Sequence, residues 1–444
     1  MAHASRRLVL ASSLSLVAGK VAGQATPPQP VPPGAGFGTA PALPGPDLGH
    51  GVENHSRQVG WPEGASPKAP PGFAVTEFAR GLDSPRWLHV LPTGDVLVAE
   101  ARTKPKPAED EESRRKLELQ RQSGTVTGSS ADRITLLRDA DGDGVAEVRS
   151  VLLTGLNQPF GMLYRQGMLY VANTDSVLRF PFDPETRRVQ ADRPQRILDL
   201  PAGGYNNHWT RNILASPDGR KLYVTVGSAS NVGEYGMEHE ARRAVVLEID
   251  PDGGNRRIFA HGLRNPNGLD WEPASGALWA AVNERDNIGD DLAPDYITSV
   301  REGAFYGWPY SYWGSNPDPR MAKERPDLVR AAVAPDYALG AHTASIGLAF
   351  APPGGFPGRH GSGAFVAQRG SWNRSAFTGY RVVFVPFRDG RPSGPAEDFL
   401  TGFMPDMTKG ETYGRPVGVF RDNRGGLLVT DDTGNRVWRV TLAA

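Results

Sequence analysis

Hydrophobic residues recur at every second position in short runs, each of which follows a glycine turn. GDVLVAEA starts at Gly94, GMLYVANT at Gly167 and GRKLYVTVGS at Gly219. GALWAAVNE starts at Gly276, GAFVAQRGSW at Gly363 and GGLLVTDDTGNRVWRV at Gly425. This period is that of a half-buried strand and not of a helix. Most runs are preceded by a second short strand after a polar loop: SPRWLHVLP, QPFGMLYR, RNILASPD, NPNGLDWEP, ASIGLAFAPP and RPVGVFRDN. Six such units predict an all-β fold, a six-bladed β-propeller with loop insertions. A propeller must close its ring to hide its edges. GFAVTEFARGL, around Phe73, is therefore expected to pair with the last strand, NRVWRVTL.

Two segments break the pattern. TKPKPAEDEESRRKLELQRQSG is highly charged and reads as a solvated loop or short helix. The stretch from Tyr310 to Ala341, rich in Pro, Tyr and Arg, reads as a second insertion. The first residues carry a different grammar. SRRLVLASSLSLVAGKVAGQA has two arginines, an apolar run and then small residues, which predicts a signal peptide over 1–25 and a periplasmic or secreted protein. Residues 26–69, rich in Pro, Gly and Ala, read as a linker, and 70–444 as the propeller domain. No later stretch approaches the roughly 18 apolar residues of a membrane span.

Composition narrows the chemistry. There is no cysteine, which excludes disulfides, thiolate metal sites, iron–sulfur clusters and covalently attached haem. The formal net charge is zero, so nothing in the overall balance points to nucleic acid.

In each repeat a polar loop precedes the strand pair. In a propeller these loops gather at one end of the channel, and a site there draws on several blades. The loops offer Gln158, His208, Arg264 with Asn265, His342 and Arg415. A separate loop, DADGDGVAE, places Asp139, Asp141 and Asp143 at alternating positions, followed by Gly144 and Glu147. It matches the first part of an EF-hand loop, although Ser150 stands where the bidentate glutamate belongs. Structural calcium and a plain acidic hairpin turn are both open readings of it.

With these residues assembled, the chain from about Pro70 onward resembles the soluble PQQ-dependent glucose, aldose-sugar and sorbosone dehydrogenases. The segments that carry the resemblance are HGLRNPNGLDW, NERDNIGDDLAPDY and AFYGWPY, in that order; GSWNRSAFTGYRVV is most similar to the sorbosone branch. The resemblance implies that His208 is the general base and that Arg264 also assists catalysis at the quinone. It implies that Gln158, Arg264, Asn265, His342, Arg369 and Arg415 bind PQQ, and that Glu284, Arg285 and Asp286 bind calcium. There are departures. Asn207 stands where the glucose enzyme has an acidic residue before the histidine, and Val417 replaces a second arginine. The lysine of blade five is absent, with Arg369 or Arg374 as substitutes.

The implied function is an exported, PQQ- and calcium-dependent dehydrogenase of a sugar or related alcohol or aldehyde, passing electrons to a separate acceptor. A calcium-dependent hydrolase of the lactonase kind and a non-catalytic binding propeller are the competing readings of the same fold.

Overall fold

The computed structural model describes residues 36–49, 51–351 and 356–443; the expected signal peptide lies outside them. The six repeats form six antiparallel sheets. Their innermost strands are Pro85–Val90, Met162–Arg165, Ile213–Ala215, Asn265–Trp271, Ser345–Phe350 and Pro416–Arg421, in blades 1 to 6. These six strands contact one another in sequence, and the sixth touches the first, so the ring is closed. Each glycine-led run is the second strand of its blade, for example Val96–Glu100 in blade 1 and Leu278–Asn283 in blade 4.

The closing strand is the expected one. Phe73–Arg80 pairs antiparallel with Arg436–Leu442, so the start of the propeller completes blade 6. Between blades, the alternating side chains interlock in apolar layers. Trp87, Leu97, Phe160, Val171 and Trp209 form one of them across blades 1 to 3. Because neighbouring strands in a blade are antiparallel, the loops before innermost strands lie at one end of the channel. The loops joining second to third strands share that end.

Three expectations are refined. The charged insertion joins the second and third strands of blade 1 and contains a helix, Glu111–Gln122, capped by Asp110 and with no buried residue. The second insertion ends earlier than expected, because its last residues, Tyr337–Ala341, are the outermost main strand of blade 4. An apolar, fully buried YALGA run belongs in a sheet, not in a surface loop.

The largest correction concerns 26–69, read as a linker. Residues 36–49 and 51–69 lie on the propeller. Phe37–Gly38 adds a fifth strand to blade 4, and Arg57–Gln58 pairs with Glu411–Thr412. Trp61 packs edge-on against Trp438, at 5.0 Å between ring centroids, and its indole donates to Asp431 at 2.6 Å. The order comes from backbone hydrogen bonds and one aromatic anchor. Composition rules for disorder do not detect either.

Candidate functional site

His208 sits on the loop that enters blade 3. Arg211 fixes this loop, donating to the His208 carbonyl at 2.6 Å and to the Pro201 carbonyl and Asn206. The imidazole Nδ1 lies 2.9 Å from the Ser228 carbonyl. A carbonyl only accepts, so Nδ1 carries the proton and Nε2 keeps its lone pair. Burial, then the nearby cation of Arg264, pushes the His208 pKa well below its ordinary value. The result is a neutral imidazole held by one nitrogen.

Asn265 lies beside it. Gly227 separates the two: a Cβ there would stand 2.4 Å from Asn265 Oδ1 and 2.7 Å from His208 Cβ. Asn265 Oδ1 is buried with no hydrogen-bond partner, an acceptor that the fold leaves open. An unpaired buried acceptor of this kind costs about 1–3 kcal/mol.

Arg264 is differently placed from the reading in which it faces a cofactor. It is 2% exposed. Its guanidinium donates to the Asn231 carbonyl and Oδ1, at 3.0 and 2.9 Å, to the carbonyls of Asn283 and Glu284, and to Asp286 at 2.9 Å. All five of its N–H groups are thus occupied by the chain itself. His342 is likewise spent, with Nε2 2.8 Å from the Gly289 carbonyl and Nδ1 3.4 Å from Asp286. Burial alone would lower the His342 pKa, but the Asp286 carboxylate raises it on balance. Burial would raise Asp286, yet Arg264 and His342 bring it down to about 2. These three residues form a charged clamp on the blade 4 loop.

That loop also carries Glu284 and Arg285. Glu284 is buried, and burial together with the nearby carboxylates of Asp295 and Asp318 pushes its pKa up to about 8. Arg285 turns its side chain to Asp318 and to the Asp286 carbonyl. Asn231 also donates to that carbonyl, at 3.0 Å. The Asp286 carbonyl is therefore filled, and Glu284 is the oxygen donor with capacity to spare for a cation. A buried carboxyl among carboxylates suits a hard cation, which favours its charged form.

The opposite wall, from blades 5, 6 and 1, is cationic. Arg86, Arg369 and Arg415 surround one carboxylate, Asp432. Arg86 and Arg369 pair with it directly. Arg415 instead donates to Ser56 at 2.6 Å and lies 5.2 Å over the Tyr380 ring. The Nε atoms of Arg86 and Arg415 are buried without partners. Burial lowers the Arg86 pKa to about 10 despite Asp432. Arg86 also lies 5.2 Å over the ring of Trp209, the neighbour of His208, which joins this wall to the histidine. Three guanidiniums against one carboxylate, with donors unspent, suit an anion bearing several carboxylates.

Arg86 was missed from the sequence. It is the second residue of the innermost strand Pro85–Val90, two positions after the place that Arg415 and Asn265 hold before their prolines. Repeat register does not single it out, because the residue level with Arg415 is Ser84. Also missed was the start of the charged insertion. Lys106 donates to Asn207 and Tyr205, both at 2.8 Å, and Trp209 donates to Thr103 at 3.0 Å. Gln158 lines the same side, donating to the Arg102 carbonyl at 2.8 Å. Arg374, the other substitute for the missing lysine, is engaged by Asp291 and the Asp290 carbonyl and does not join Arg369.

Asp139, Asp141, Asp143 and Glu147 do converge, with one ligand atom from each within 4.8 Å of the others. Their loop joins the third and fourth strands of blade 1, so it lies at the far end from His208. Arg424 already pairs with Asp139.

A closed six-bladed ring thus brings a neutral histidine, an open amide acceptor and an arginine wall to one channel mouth. The chain belongs to the TrAA12-like family, whose model matches residues 67–303 and 318–443. An uncharacterized protein of Borreliella burgdorferi is 30% identical over 302 residues, 64% of this chain and 76% of that one. A pyrroloquinoline quinone-dependent sugar dehydrogenase of Hypocrea jecorina is 23% identical over 432 residues, 86% of this chain and 90% of the relative. The calcium structure of a Trichoderma reesei enzyme of carbohydrate-active family AA12 superposes with a TM-score of 0.69 at 19% identity, over 85% of this chain and 97% of that one. The family relationship read from the three loop motifs is thereby borne out. No helix among the described residues is long and apolar enough to cross a membrane.

Proposed function

We propose that this chain is an exported PQQ-dependent dehydrogenase that oxidises a sugar or a related alcohol or aldehyde, with calcium at the blade 4 loop and a separate electron acceptor. The observation that carries the reading is the pairing of two features at one channel mouth. An arginine wall with surplus charge faces a histidine kept neutral with a free Nε2. PQQ, an anionic quinone, would supply hydride acceptance. Arg86, Arg369 and Arg415 would hold its carboxylates. Glu284, with the Arg285 carbonyl, would hold calcium, which favours negative charge on a neighbouring oxygen. His208 Nε2 takes the proton of the substrate hydroxyl as the C–H hydrogen leaves as hydride. Its Nδ1–H bond to Ser228 fixes the ring for that transfer and steadies the imidazolium that results.

Purified protein reconstituted with PQQ and calcium is expected to reduce a redox dye with members of a sugar panel. Chelation is expected to abolish this, and calcium to restore it. Arg415→Ala is expected to weaken PQQ binding by about 10- to 100-fold, the scale of one charge-assisted hydrogen bond. Dye reduction that is indifferent to PQQ, or PQQ affinity unchanged in Arg415→Ala, would overturn the assignment.

A further inference from the structure

Residues 51–58 cross the channel end that carries the site. Asn373 donates to the Val52 carbonyl at 2.7 Å, and Asn54 donates to the carbonyls of Arg374 and Ser375. These partners lie on the loop between the second and third strands of blade 5. His55 stacks on Trp372 of the same loop, at 5.7 Å between centroids. Arg57–Gln58 pairs with Glu411–Thr412, just before the innermost strand of blade 6. Glu53 pairs with Arg115 and Lys116 on the helix of the blade 1 insertion. The segment therefore spans from blade 5 through blade 6 to blade 1, the three blades that supply the arginine wall.

Its centre reaches into that wall. Ser56 is 1% exposed, and its hydroxyl accepts from Arg415 Nη2 at 2.6 Å. Arg415 has no carboxylate partner of its own, and its Nε is unpaired. A neutral hydroxyl is a weak match for a buried guanidinium, so a carboxylate reaching Arg415 would displace or share this bond favourably. His55, with Trp372, lies on the outer side of the same contact. The field of Arg415 acts on His55, whose pKa is lowered by burial and then by that cation.

We infer that residues 51–58 are the roof of the cofactor pocket, with Ser56 as its contact residue, and that this strap controls entry and escape of the anionic cofactor. The inference rests on the PQQ reading of the site. Ser56 holds Arg415 from this strap. Loading requires the strap to lift, and its return over the bound anion retains it. The strap's bonds are to loops and to the two-residue strand Glu411–Thr412, outside the six blade sheets, so it can part while the ring stays intact.

The chain has no cysteine, which allows a clean test. Asn54→Cys combined with Ser375→Cys places a reversible crosslink where Asn54 meets the Ser375 carbonyl at 2.9 Å. PQQ uptake and release are followed by quenching of tryptophan fluorescence in oxidised and reduced protein. The oxidised form is expected to exchange PQQ at least about tenfold more slowly, with reductant restoring the wild-type rate. In parallel, Ser56→Ala is expected to speed PQQ release severalfold, with a fall in melting temperature no larger than the loss of one buried hydrogen bond accounts for. Equal exchange in both redox states, where PQQ does bind, overturns the strap role alone. No PQQ binding in wild type overturns the strap role together with the quinoprotein reading. If the crosslinked protein does not fold, the Ser56→Ala release rate decides.

Discussion

His208→Gln is expected to fold, to bind PQQ as the wild type does, and to turn over roughly 10²–10⁴-fold more slowly, the usual contribution of a general base. Arg211 still holds the loop through the backbone carbonyl at this position, at 2.6 Å, and the substitution keeps a polar amide there. What it cannot do is accept a proton. Melting temperature, PQQ affinity and turnover measured on one preparation separate the roles. A merely structural histidine would lower the first and spare the last.

The pH profile gives a second check on the same residue. A base works above its pKa. Burial and the field of Arg264 push the His208 pKa well below 6.5. Lys106, whose own pKa burial lowers to about 8, adds to this while it holds Asn207. The acid limb of kcat/KM is therefore expected below pH 6.5, with full activity kept through neutrality. Lys106→Met should move that limb to higher pH, and an unmoved limb would remove Lys106 from the site's electrostatics.

The period-two pattern made the six blades and the closing strand legible, because each inner strand must present an apolar face to the next blade. The site loops were legible through repeat register, but that register sets Ser84, not Arg86, level with Arg415 and Asn265, each just before a proline. Side-chain partners were not legible. Nothing in HGLRNPNGLDW reveals that Asn231, from blade 3, takes two of the donors of Arg264. Nor does the sequence show that Ser56 reaches Arg415 across 359 positions. Such contacts depend on which loops the ring brings together, and a local pattern carries no trace of them.

Arg264→Ala tests the role that the structure gives this residue against the one that its motif implies. In the wild type one buried guanidinium neutralises Asp286 and satisfies the carbonyls of Asn231 and Glu284. Removing it leaves a half-buried carboxylate without its guanidinium and buried carbonyls without a donor, a loss of about 1–3 kcal/mol for each group left unpaired. The expected result is a marked fall in melting temperature, seen without PQQ or calcium. Arg264→Lys should recover only part of it, since an ammonium cannot reach Asn231, Glu284 and Asp286 together. PQQ affinity should also fall, through disorder of the blade 4 loop that carries Glu284. The contrast with Arg415→Ala is the decisive comparison. Arg415 has an unpaired Nε and a hydroxyl partner, so its loss should weaken cofactor binding more than stability. If Arg264→Ala melts like the wild type and loses only PQQ affinity, the clamp is not what Arg264 is for. Its donors would then have to turn from the loop to the cofactor on binding.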